Sequence, residues 1–238
     1  MIGINTDITV TGIRESKMNI DFHAHILPGA DHGSTSLKTS LDQLALARAA
    51  GIELIVATPH FYPQQESVET FLARREQCAA LLRDAAKDAP QLLIGGEIQL
   101  CRGLHHIGAL ERLCIEGTNV LLLELPPVFS MHAMASTLDA LLYECRLNVV
   151  LAHIDRYDSA VINSLLDVGF LAQLNASAFC RLRGRRRCLN WAADESIVAL
   201  GSDIHGVSDS YREFAEAKRR LGTDYAAVMR RTQRLLNR

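Results

Sequence analysis

The sequence predicts an α/β fold in which seven parallel strands alternate with helices in a distorted (β/α)7 barrel of the TIM type. Seven short apolar runs recur along the 238-residue chain, and a segment with helical spacing follows each run. The runs are continuously apolar rather than alternating, which is typical of parallel strands that helices cover on both faces. Because no linker interrupts the seven units, one barrel is favoured over two domains.

Short apolar runs predict the strands, and apolar residues at helical spacing predict the helices. The predicted strands are the run 18–20 leading into Asp21–His25, then 54–58, 92–96, 120–124, 148–152, 170–175 and 197–202. The predicted helices are 36–50, a long polar helix containing Phe71 to Leu82, 107–114, 135–146, 159–168, 186–193 and two helices between 208 and 238 that Gly222 separates. In the first helix, Leu37, Leu41 and Leu44 share one face, and Gly51 ends the helix.

Composition and charge narrow the class of protein. Hydrophobic residues make up 48% of the chain, which is enough for one substantial core. The net charge of −2 gives no indication of nucleic-acid or membrane binding, and no apolar run approaches the roughly 18 residues of a membrane span. Residues 1–17 contain no hydrophobic stretch of the signal-peptide kind. We therefore expect a cytoplasmic protein with an N-terminal extension at 1–17 and a single domain at 18–238.

Histidines and acidic residues stand where the predicted strands end. They are His23, His25, His60, Glu97, Glu124, His153, Asp203 and His205. The C-terminal ends of barrel strands share one face, which carries the site, and residues two apart on a strand, such as His23 and His25, point the same way. Buried charges are costly unless they are paired or bind metals. The pattern therefore predicts a metal centre.

The types of ligand indicate which metals would bind and what they would do. Nitrogen and carboxylate ligands without thiolate suit Mn, Fe or Zn and do not decide among them. These side chains are too many for one tetrahedral site, so we expect two or three divalent ions. Adjacent metals suit the hydrolysis of a phosphate ester, because they bind phosphate oxygens, lower the pKa of the attacking water and stabilise the leaving oxygen.

Several motifs carry a resemblance to a known family. They are Ile20–Gly29 with its His-x-His pair, the Gly-rich turn with Asp31, Thr58-Pro59-His60, Gly96-Glu97, Glu124-Leu125-Pro126, His153-Ile154-Asp155-Arg156-Tyr157 and Ser202-Asp203-Ile204-His205. In this order, from Met18 to about His205, they resemble the polymerase-and-histidinol-phosphatase (PHP) superfamily. Within it they are most similar to the bacterial CpsB/CapC-like tyrosine-protein phosphatases of capsular and exopolysaccharide synthesis. The resemblance implies a PHP-type barrel with two or three metals, Mn²⁺ before Fe or Zn.

The resemblance also implies a role for each matched residue. Metal ligands would be His23, His25, Glu97, Glu124 and Asp203, completed by His60, His153 and His205. Glu97 would bridge two of the metals. Arg156 would bind the substrate phosphate, which a bidentate guanidinium fits. Asp203 or His205 would assist proton transfer to the leaving tyrosine oxygen.

Two positions depart from the family pattern. The family's first loop reads Asp-Asp-Gly with the second Asp as a ligand, whereas this chain has Asp31-His32-Gly33. Either His32 ligates through nitrogen, or Asp31 swings in, or one metal is weakened; we include His32 among the candidate ligands. The arginine that usually follows the Asp-x-His box does not line up. Arg212, which comes slightly later, is the candidate second phosphate contact.

The leading hypothesis is a metal-dependent protein-tyrosine phosphatase, a phosphoric monoester hydrolase that acts on the tyrosine autokinase of a polysaccharide export system. A metal-activated hydroxide attacks phosphorus directly, without a cysteinyl intermediate. One alternative is a small-molecule phosphatase of the histidinol-phosphate type, which the motifs at Pro28-Gly29 and Asp155-Arg156-Tyr157 disfavour. Another is a non-catalytic protein that binds the kinase and regulates assembly, which His32 favours. The expected partner is a phosphotyrosine protein, with no nucleic acid and no membrane insertion.

A strongly basic stretch follows the sixth predicted strand. Its arginines are Arg181, Arg183, Arg185, Arg186 and Arg187. Near the predicted mouth of the barrel, such a loop could attract an anionic phosphopeptide tail. The alternative is a solvated loop, and the sequence does not choose between the two.

Overall fold

The computed structural model describes residues 18–86, 89–208 and 210–237, in which strands and helices alternate. The strands are β1 (Ile20–His25), β2 (Leu54–Ala57), β3 (His60–Phe61), β4 (Gln91–Ile94), β5 (Glu97–Gln99), β6 (Val120–Glu124), β7 (Asn148–Leu151), β8 (Leu171–Asn175), β9 (Ile197–Gly201) and β10 (Ile204–His205). The helices are α1 (Leu37–Ala49), α2 (Val68–Ala85), α3 (Met131–Tyr143), α4 (Ser159–Asp167), α5 (Arg185–Ala192), α6 (Ser210–Leu221) and α7 (Thr223–Leu236). The N-terminal extension predicted at 1–17 lies outside the described residues.

The named strand pairs are all parallel, as the continuous apolar runs predict. One sheet has the order β10-β1-β2-β4, and the other has the order β3-β5-β6-β7-β8-β9. Three of the seven predicted strands are interrupted, so that β2 continues as β3, β4 as β5 and β9 as β10. β10 pairs with β1, β4 pairs with β2, and β5 pairs with β3. Because these pairs connect the two sheets, the seven predicted strands form a ring. The predicted distorted α/β barrel is confirmed, and the interruptions account for the distortion.

The interruptions place polar residues at the site. Pro59 separates β2 from β3 because its nitrogen cannot donate to a ladder, and β3 then begins at His60. Glu97 is likewise the first residue of the strand that follows an interruption, β5. Asp203 lies between β9 and β10 with a left-handed φ of 51°. Non-glycine residues in this region are strained and cluster at functional sites.

The helices cover the barrel and begin at capping residues. Ser36, Ser67 and Ser130 precede α1, α2 and α3, and each hydroxyl accepts the backbone N–H of the third residue along. Helix α7 packs against β1 and β9, where the Thr232 hydroxyl donates to the Val198 carbonyl at 2.6 Å. Among the residues that the structure describes, no helix has both the length and the apolar character needed to cross a bilayer.

One predicted helix is wrong. The segment 107–114 was expected to be helical, but the structure has two 3-10 turns, Leu104–His106 and Leu110–Leu113. Ala109 between them has a φ of 62°, which a right-handed helix cannot contain. The apolar spacing predicts a helix, but the structure buries these leucines by two separate turns that pack against the same hydrophobic core.

Candidate metal centre

The first strand brings two imidazoles into the barrel. His23 and His25 are fully buried on β1, and their Nε2 atoms lie 3.0 Å apart. Both rings point to the same side because strand residues alternate. The loop that follows packs closely against them: a Cβ at Gly33 would lie 2.2 Å from the Cβ of His25, so only glycine fits there. This contact explains the glycine of the Asp-x-Gly turn.

Glu97 lies at the centre of the histidines. Its carboxylate is buried, and Oε1 lies 2.7 Å from Nε2 of His153. Its other oxygen, Oε2, lies 2.9 Å from Nδ1 of His60. The same oxygen is 3.3 Å from Nε2 of His23 and 3.2 Å from Nε2 of His25. One carboxylate thus contacts four imidazoles from three different strands or loops.

The contact between Glu97 and His60 tests whether a cation fits. Although Oε2 and Nδ1 are 2.9 Å apart, neither atom has a partner in hydrogen-bond geometry among the described residues. Buried polar atoms are nearly always hydrogen-bonded. A bound cation would satisfy both atoms, because carboxylate oxygens and imidazole nitrogens are metal ligands. The site therefore meets the expectation of a metal centre on this point.

Asp203 approaches the two β1 histidines at the same ring nitrogens that Glu97 contacts. Its Oδ1 is 3.4 Å from Nε2 of His25 and 3.7 Å from Nε2 of His23. Its Oδ2 accepts a hydrogen bond from Nδ2 of Asn175 at 3.0 Å and another from the guanidinium of Arg156. Asp203 therefore joins the imidazole cluster to a cationic side chain.

Three of the imidazoles are hydrogen-bonded through Nδ1 to an oxygen acceptor. The pairs are His25 Nδ1 with Asp31 Oδ2 at 2.7 Å, His23 Nδ1 with Gln173 Oε1 at 3.3 Å, and His205 Nδ1 with the Asp203 carbonyl at 3.0 Å. When Nδ1–H of a neutral ring donates to such an acceptor, Nε2 carries the lone pair. Metal-ligating histidines are oriented in this way in most proteins.

The charges of the cluster are strongly coupled. Burial alone would lower the pKa of His25, but hydrogen bonds to Asp203 and Asp31 raise it well above its ordinary value. Burial would raise the pKa of Glu97, but the charge of His23 and other imidazole contacts hold it well below the usual range. The carboxylates are thus balanced by protons on the imidazoles. Metal binding would release these protons, because ligating histidines must be neutral.

The outer residues of the cluster have pKa values shifted toward neutral forms. Burial and the charge of Glu97 raise the pKa of Glu124. Burial and the neighbouring His25 lower the pKa of His205 to about 4. A neutral His205 is in the protonation state that a metal ligand requires.

Three overlapping groups of side chains could each hold a metal ion. In each group, one ligand atom per residue lies within 4.8 Å of the others. The groups are His23, His25 and Asp203; His25, His60 and His205; and His60, Glu97 and Glu124. His153 lies beside the third group, with Nε2 3.6 Å from the carboxylate of Glu124. The donor set of imidazoles and carboxylates fits divalent metals such as Mn, Fe or Zn.

Arg156 lies at the rim of this centre. Its side chain is 45% exposed, whereas the side chain of its ion-pair partner, Asp203, is buried. Arg156 is the last residue of the 3-10 turn Ile154–Arg156, which follows β7. His153, the residue before this turn, has a left-handed φ of 32°. The hydroxyl of Tyr157 donates to the Leu125 carbonyl at 2.8 Å and holds the turn in place. The site therefore has an accessible cation directly beside its buried ligands.

Nearly the whole described chain matches the model of one known protein family. The family model for capsular polysaccharide synthesis, CpsB/CapC, matches residues 19–235. The chain belongs to the CpsB/CapC family. The resemblance that the motifs carry is thereby confirmed at the level of the family.

Individual relatives agree with membership of the CpsB/CapC family. Tyrosine-protein phosphatase YwqE of Bacillus subtilis (strain 168) is 26% identical over 204 residues, which are 79% of this chain and 78% of the relative. A chain from the crystal structures of the metal-dependent tyrosine phosphatases YwqE of B. subtilis and CpsB of Streptococcus pneumoniae superposes with a TM-score of 0.75 and 21% identity. The match covers 92% of this chain and 94% of that one.

A more distant structural neighbour is the histidinol phosphate phosphatase of Lactococcus lactis in complex with Zn, L-histidinol and phosphate. It has a TM-score of 0.58 and 13% identity, and the match covers 87% of this chain and 93% of that one. At this identity the likeness concerns the fold alone. It agrees with the PHP-type barrel of the CpsB/CapC family.

Of the two residues at which this chain departs from the CpsB/CapC pattern, His32 lies at the edge of the site and Arg212 lies in a groove elsewhere. His32 is exposed, and its ring stacks 4.8 Å from that of His60 and 4.7 Å from that of His205. Asp31, its neighbour, is already bonded to His25 and accepts the backbone N–H of His60 at 3.0 Å. Arg212 lies on α6, where it lines a groove with residues of α1. Their roles as ligand and phosphate contact stay predictions.

Sequence reasoning missed two polar residues on β8. Gln173 Oε1 accepts from Nδ1 of His23 and from the backbone N–H of His153, at 3.3 and 2.6 Å. Its Nε2 donates to Asn175 at 2.9 Å, and Asn175 donates to Asp203. Two polar residues at alternate positions of an otherwise apolar strand were a signal in the sequence. Both point into the barrel, where they hold His23, His153 and Asp203, three of the candidate ligands, by hydrogen bonds.

Sequence reasoning also missed an aromatic residue at the mouth. Tyr62 follows β3, is half-buried, and stacks on His60 with ring centroids 5.2 Å apart. Burial, together with the charges of Glu124 and Glu97, raises its pKa to about 12, so it is a neutral phenol. Its only sequence signal was its place two residues after a candidate ligand.

Proposed function

We propose that this protein is a metal-dependent protein-tyrosine phosphatase that hydrolyses phosphotyrosine on a tyrosine autokinase of capsular or exopolysaccharide synthesis. The observation that carries the proposal is the pair formed by Asp203, inside a ligand cluster, and Arg156, an accessible guanidinium at its rim. Membership of the CpsB/CapC family and 26% identity to a tyrosine-protein phosphatase support the reaction and the substrate class.

The residues that would hold the metals are those of the cluster. They are His23, His25, His60, Glu97, Glu124, His153, Asp203 and His205, with His32 as a further candidate at the rim. We propose two or three ions, with Mn²⁺ as the native metal. Bound divalent cations in such a site polarise the phosphate oxygens and lower the pKa of water. Glu97, which contacts imidazoles through both oxygens, is the candidate bridge.

Arg156 binds the phosphate in this proposal. A guanidinium presents two parallel N–H groups to a phosphate and keeps its charge at any physiological pH. The pairing with Asp203 holds the side chain at the rim, and Asp155 fixes the turn from below by accepting the backbone N–H of Asn175 at 3.0 Å. Arg212 is the proposed second contact for the phosphate or for the groups next to it.

Proton transfer to the leaving tyrosine oxygen falls to His205 or Asp203. The side chain of His205 is 31% exposed and that of Asp203 only 4%, so a substrate reaches His205 first. The Nδ1–H of His205 is occupied by the Asp203 carbonyl, so Nε2 is the one ring atom left for either role, and a His205 that transfers the proton is not at the same time a metal ligand. The phosphotyrosine protein is the proposed partner and the cytoplasm the proposed location.

The assay that tests the proposal compares three substrates with Mn²⁺-loaded protein. We expect hydrolysis of a phosphotyrosine peptide and of a small aryl phosphate, and little hydrolysis of histidinol phosphate. His23→Ala should abolish activity with the fold intact by circular dichroism, while the exposed His132→Ala should behave as wild type. Arg156→Lys should lower kcat/KM by about 10²-fold, because it keeps the charge but loses the bidentate contact.

The outcomes separate the alternatives. Preference for histidinol phosphate would identify a small-molecule phosphatase. Hydrolysis of none of the substrates by protein with bound metal would indicate a regulatory binding protein. Full activity in His23→Ala would contradict the metal centre itself.

A further inference from the structure

A basic surface segment lies beside the metal centre, and the residues that surround it do not neutralise it. The arginine segment, residues 181–187, contains five arginines in seven residues, in a chain whose formal net charge is −2. It follows β8 and the 3-10 turn Ala176–Phe179, and it leads into α5. Arg181, Arg183 and Arg186 are exposed, and the apolar side chain between the first two, Leu182, is 87% exposed.

The arginine segment shares its support with the 3-10 turn Ile154–Arg156, which carries the proposed phosphate contact. Nη2 of Arg187 donates to the carbonyl of Asp155 at 3.0 Å, and Nη1 of Arg181 lies 3.8 Å from the Asp155 carboxylate. Asp155 directly precedes Arg156. The two ends of the segment are therefore attached to the residue next to Arg156. A substrate polypeptide that runs from Arg156 toward Asp155 would cross the segment.

The remaining cations of the segment lack internal partners. Arg183, Arg185 and Arg186 have no carboxylate partner within the part of the chain that the structure describes, whereas Arg74 and Arg231 elsewhere form ion pairs with glutamates at 2.9 Å or less. Arg187 is different, because its guanidinium lies over the Trp191 ring at 4.7 Å. Three neighbouring positive charges are therefore available to an external anion.

The residues of the first turn of α5 are also unusual for a helix N-terminus. Its first three residues are arginines, no acidic residue is in the first turn, and Gly184 provides no side-chain cap. Cations near a helix N-terminus are unfavourable, because the backbone dipole is positive there. Positions that break a local rule without internal compensation are often functional. An anion bound at this surface would compensate both the guanidinium charges and the uncapped N–H groups.

We propose that the arginine segment docks an acidic stretch of polypeptide next to the phosphotyrosine of the substrate protein. The inference rests on the proposed phosphatase function and extends it to substrate selection. The adjacency to Arg156 favours a peptide, because a phosphotyrosine seated at the rim brings its own flanking residues over this surface. Exposed Leu182 gives the docked chain an apolar contact between the charges.

The test compares two phosphotyrosine peptides of equal length, one with acidic flanks and one with neutral flanks. Arg183→Ala, Arg185→Ala and Arg186→Ala are combined in one variant. The matched control combines Arg48→Ala, Arg146→Ala and Arg230→Ala, three exposed arginines outside the segment. We expect wild type to prefer the acidic peptide through KM, and the segment variant to lose about tenfold in kcat/KM on that peptide, because oriented charges accelerate association by such factors.

Other readouts separate this docking role from damage to the site. The segment variant should retain wild-type rates on the neutral peptide and on a small aryl phosphate, and the preference of wild type should weaken as salt rises. Equal losses on both peptides, or no loss on either, would overturn the proposal. Binding to vesicles of anionic lipid that requires the segment, with no discrimination between peptides, would assign it to a membrane surface instead.

A binding measurement keeps the inference independent of catalysis. The acidic peptide with phenylalanine in place of phosphotyrosine is labelled, and its fluorescence anisotropy is followed with wild type and with both variants. Binding that the segment variant loses and the control variant keeps would support docking even if none of the phosphate esters is hydrolysed. Equal binding by all three proteins would reject docking even if the phosphatase activity is present.

Discussion

Each imidazole that β1 contributes is held by a second group from elsewhere in the chain. His25 is bonded to Asp31 of the following loop, and His23 is bonded to Gln173 of β8. The same Gln173 oxygen accepts the backbone N–H of His153 at 2.6 Å, which fixes a residue with a strained φ. Groups of this kind set the tautomer and the direction of a ligand, and metal affinity depends on them.

Gln173→Leu is the substitution that tests this support. Leucine fills a similar volume but offers no acceptor to Nδ1 of His23 or to the N–H of His153. We expect the affinity of metal-free protein for Mn²⁺ to fall about 10- to 100-fold, as measured by isothermal titration calorimetry. Gln65→Leu, at an exposed position after β3, is the matched control and should leave the affinity unchanged. Unchanged affinity in Gln173→Leu would mean that His23 needs no orienting partner.

The seam at which the barrel closes lies between β1 and the β9–β10 segment. Buried Asp21 accepts the backbone N–H of Ser202 at 2.8 Å, its hydroxyl at 2.6 Å and the Tyr211 hydroxyl at 3.0 Å. The backbone N–H of Asp203 donates to the His23 carbonyl at 2.8 Å. Two candidate ligands, His23 on β1 and Asp203 after β9, thus depend on the same contact between elements.

Gly201, at the end of β9, lies where the neighbouring elements leave no room for a side chain. A Cβ there would lie 2.5 Å from the Cβ of His23 and 2.6 Å from Nε2 of Gln173. Gly201→Ala should lower the free energy of unfolding by about 1–3 kcal/mol, the usual effect of overpacking. Urea denaturation of metal-free protein measures this effect.

Gly108→Ala provides the control for Gly201→Ala. A Cβ at Gly108 meets no atom within 4 Å, so its stability should stay within about 0.5 kcal/mol of wild type. Equal stability of the two variants would show that the seam relaxes at no cost.

Across the whole molecule, the metal centre concentrates buried charge inside one ring of strands. Glu97, Asp203, His23 and His25 are all nearly or fully buried. They are contributed by β1, β5 and the β9–β10 turn, so the cluster exists only in the folded barrel. Ligands that bind the native state alone stabilise it by mass action.

Metal removal should therefore lower the thermal stability of the protein. An ion at a hundred times its Kd stabilises the native state by about 2.7 kcal/mol, which for a domain of this size corresponds to roughly 5–10 °C in Tm. Differential scanning calorimetry with Mn²⁺ and with excess chelator measures the shift. His23→Ala should abolish the shift, and His132→Ala should retain it. Identical melting of wild type with and without the ion would argue against a metal centre.

Much of the fold could be predicted because its periodicity is local. Apolar runs such as Leu54–Ala57 and Val120–Glu124 were placed to within a residue, and the parallel arrangement followed from their continuity. The interruption at Asp203 and the two turns at 104–113 could not be predicted. They depend on single dihedral angles, such as those of Ala109 and Asp203, that no composition or spacing encodes.

The sequence by itself determined the parallel barrel, the family and the convergence of strand-end histidines and acids, because strand ends of such a barrel must meet at one face. Only the tertiary structure decided which atoms meet. It joined Glu97 to four imidazoles, Asp203 to Arg156, and Gln173 to two histidines at once. Such contacts join residues far apart in the chain, and they are fixed by side-chain packing within a few tenths of an ångström, which no local pattern records.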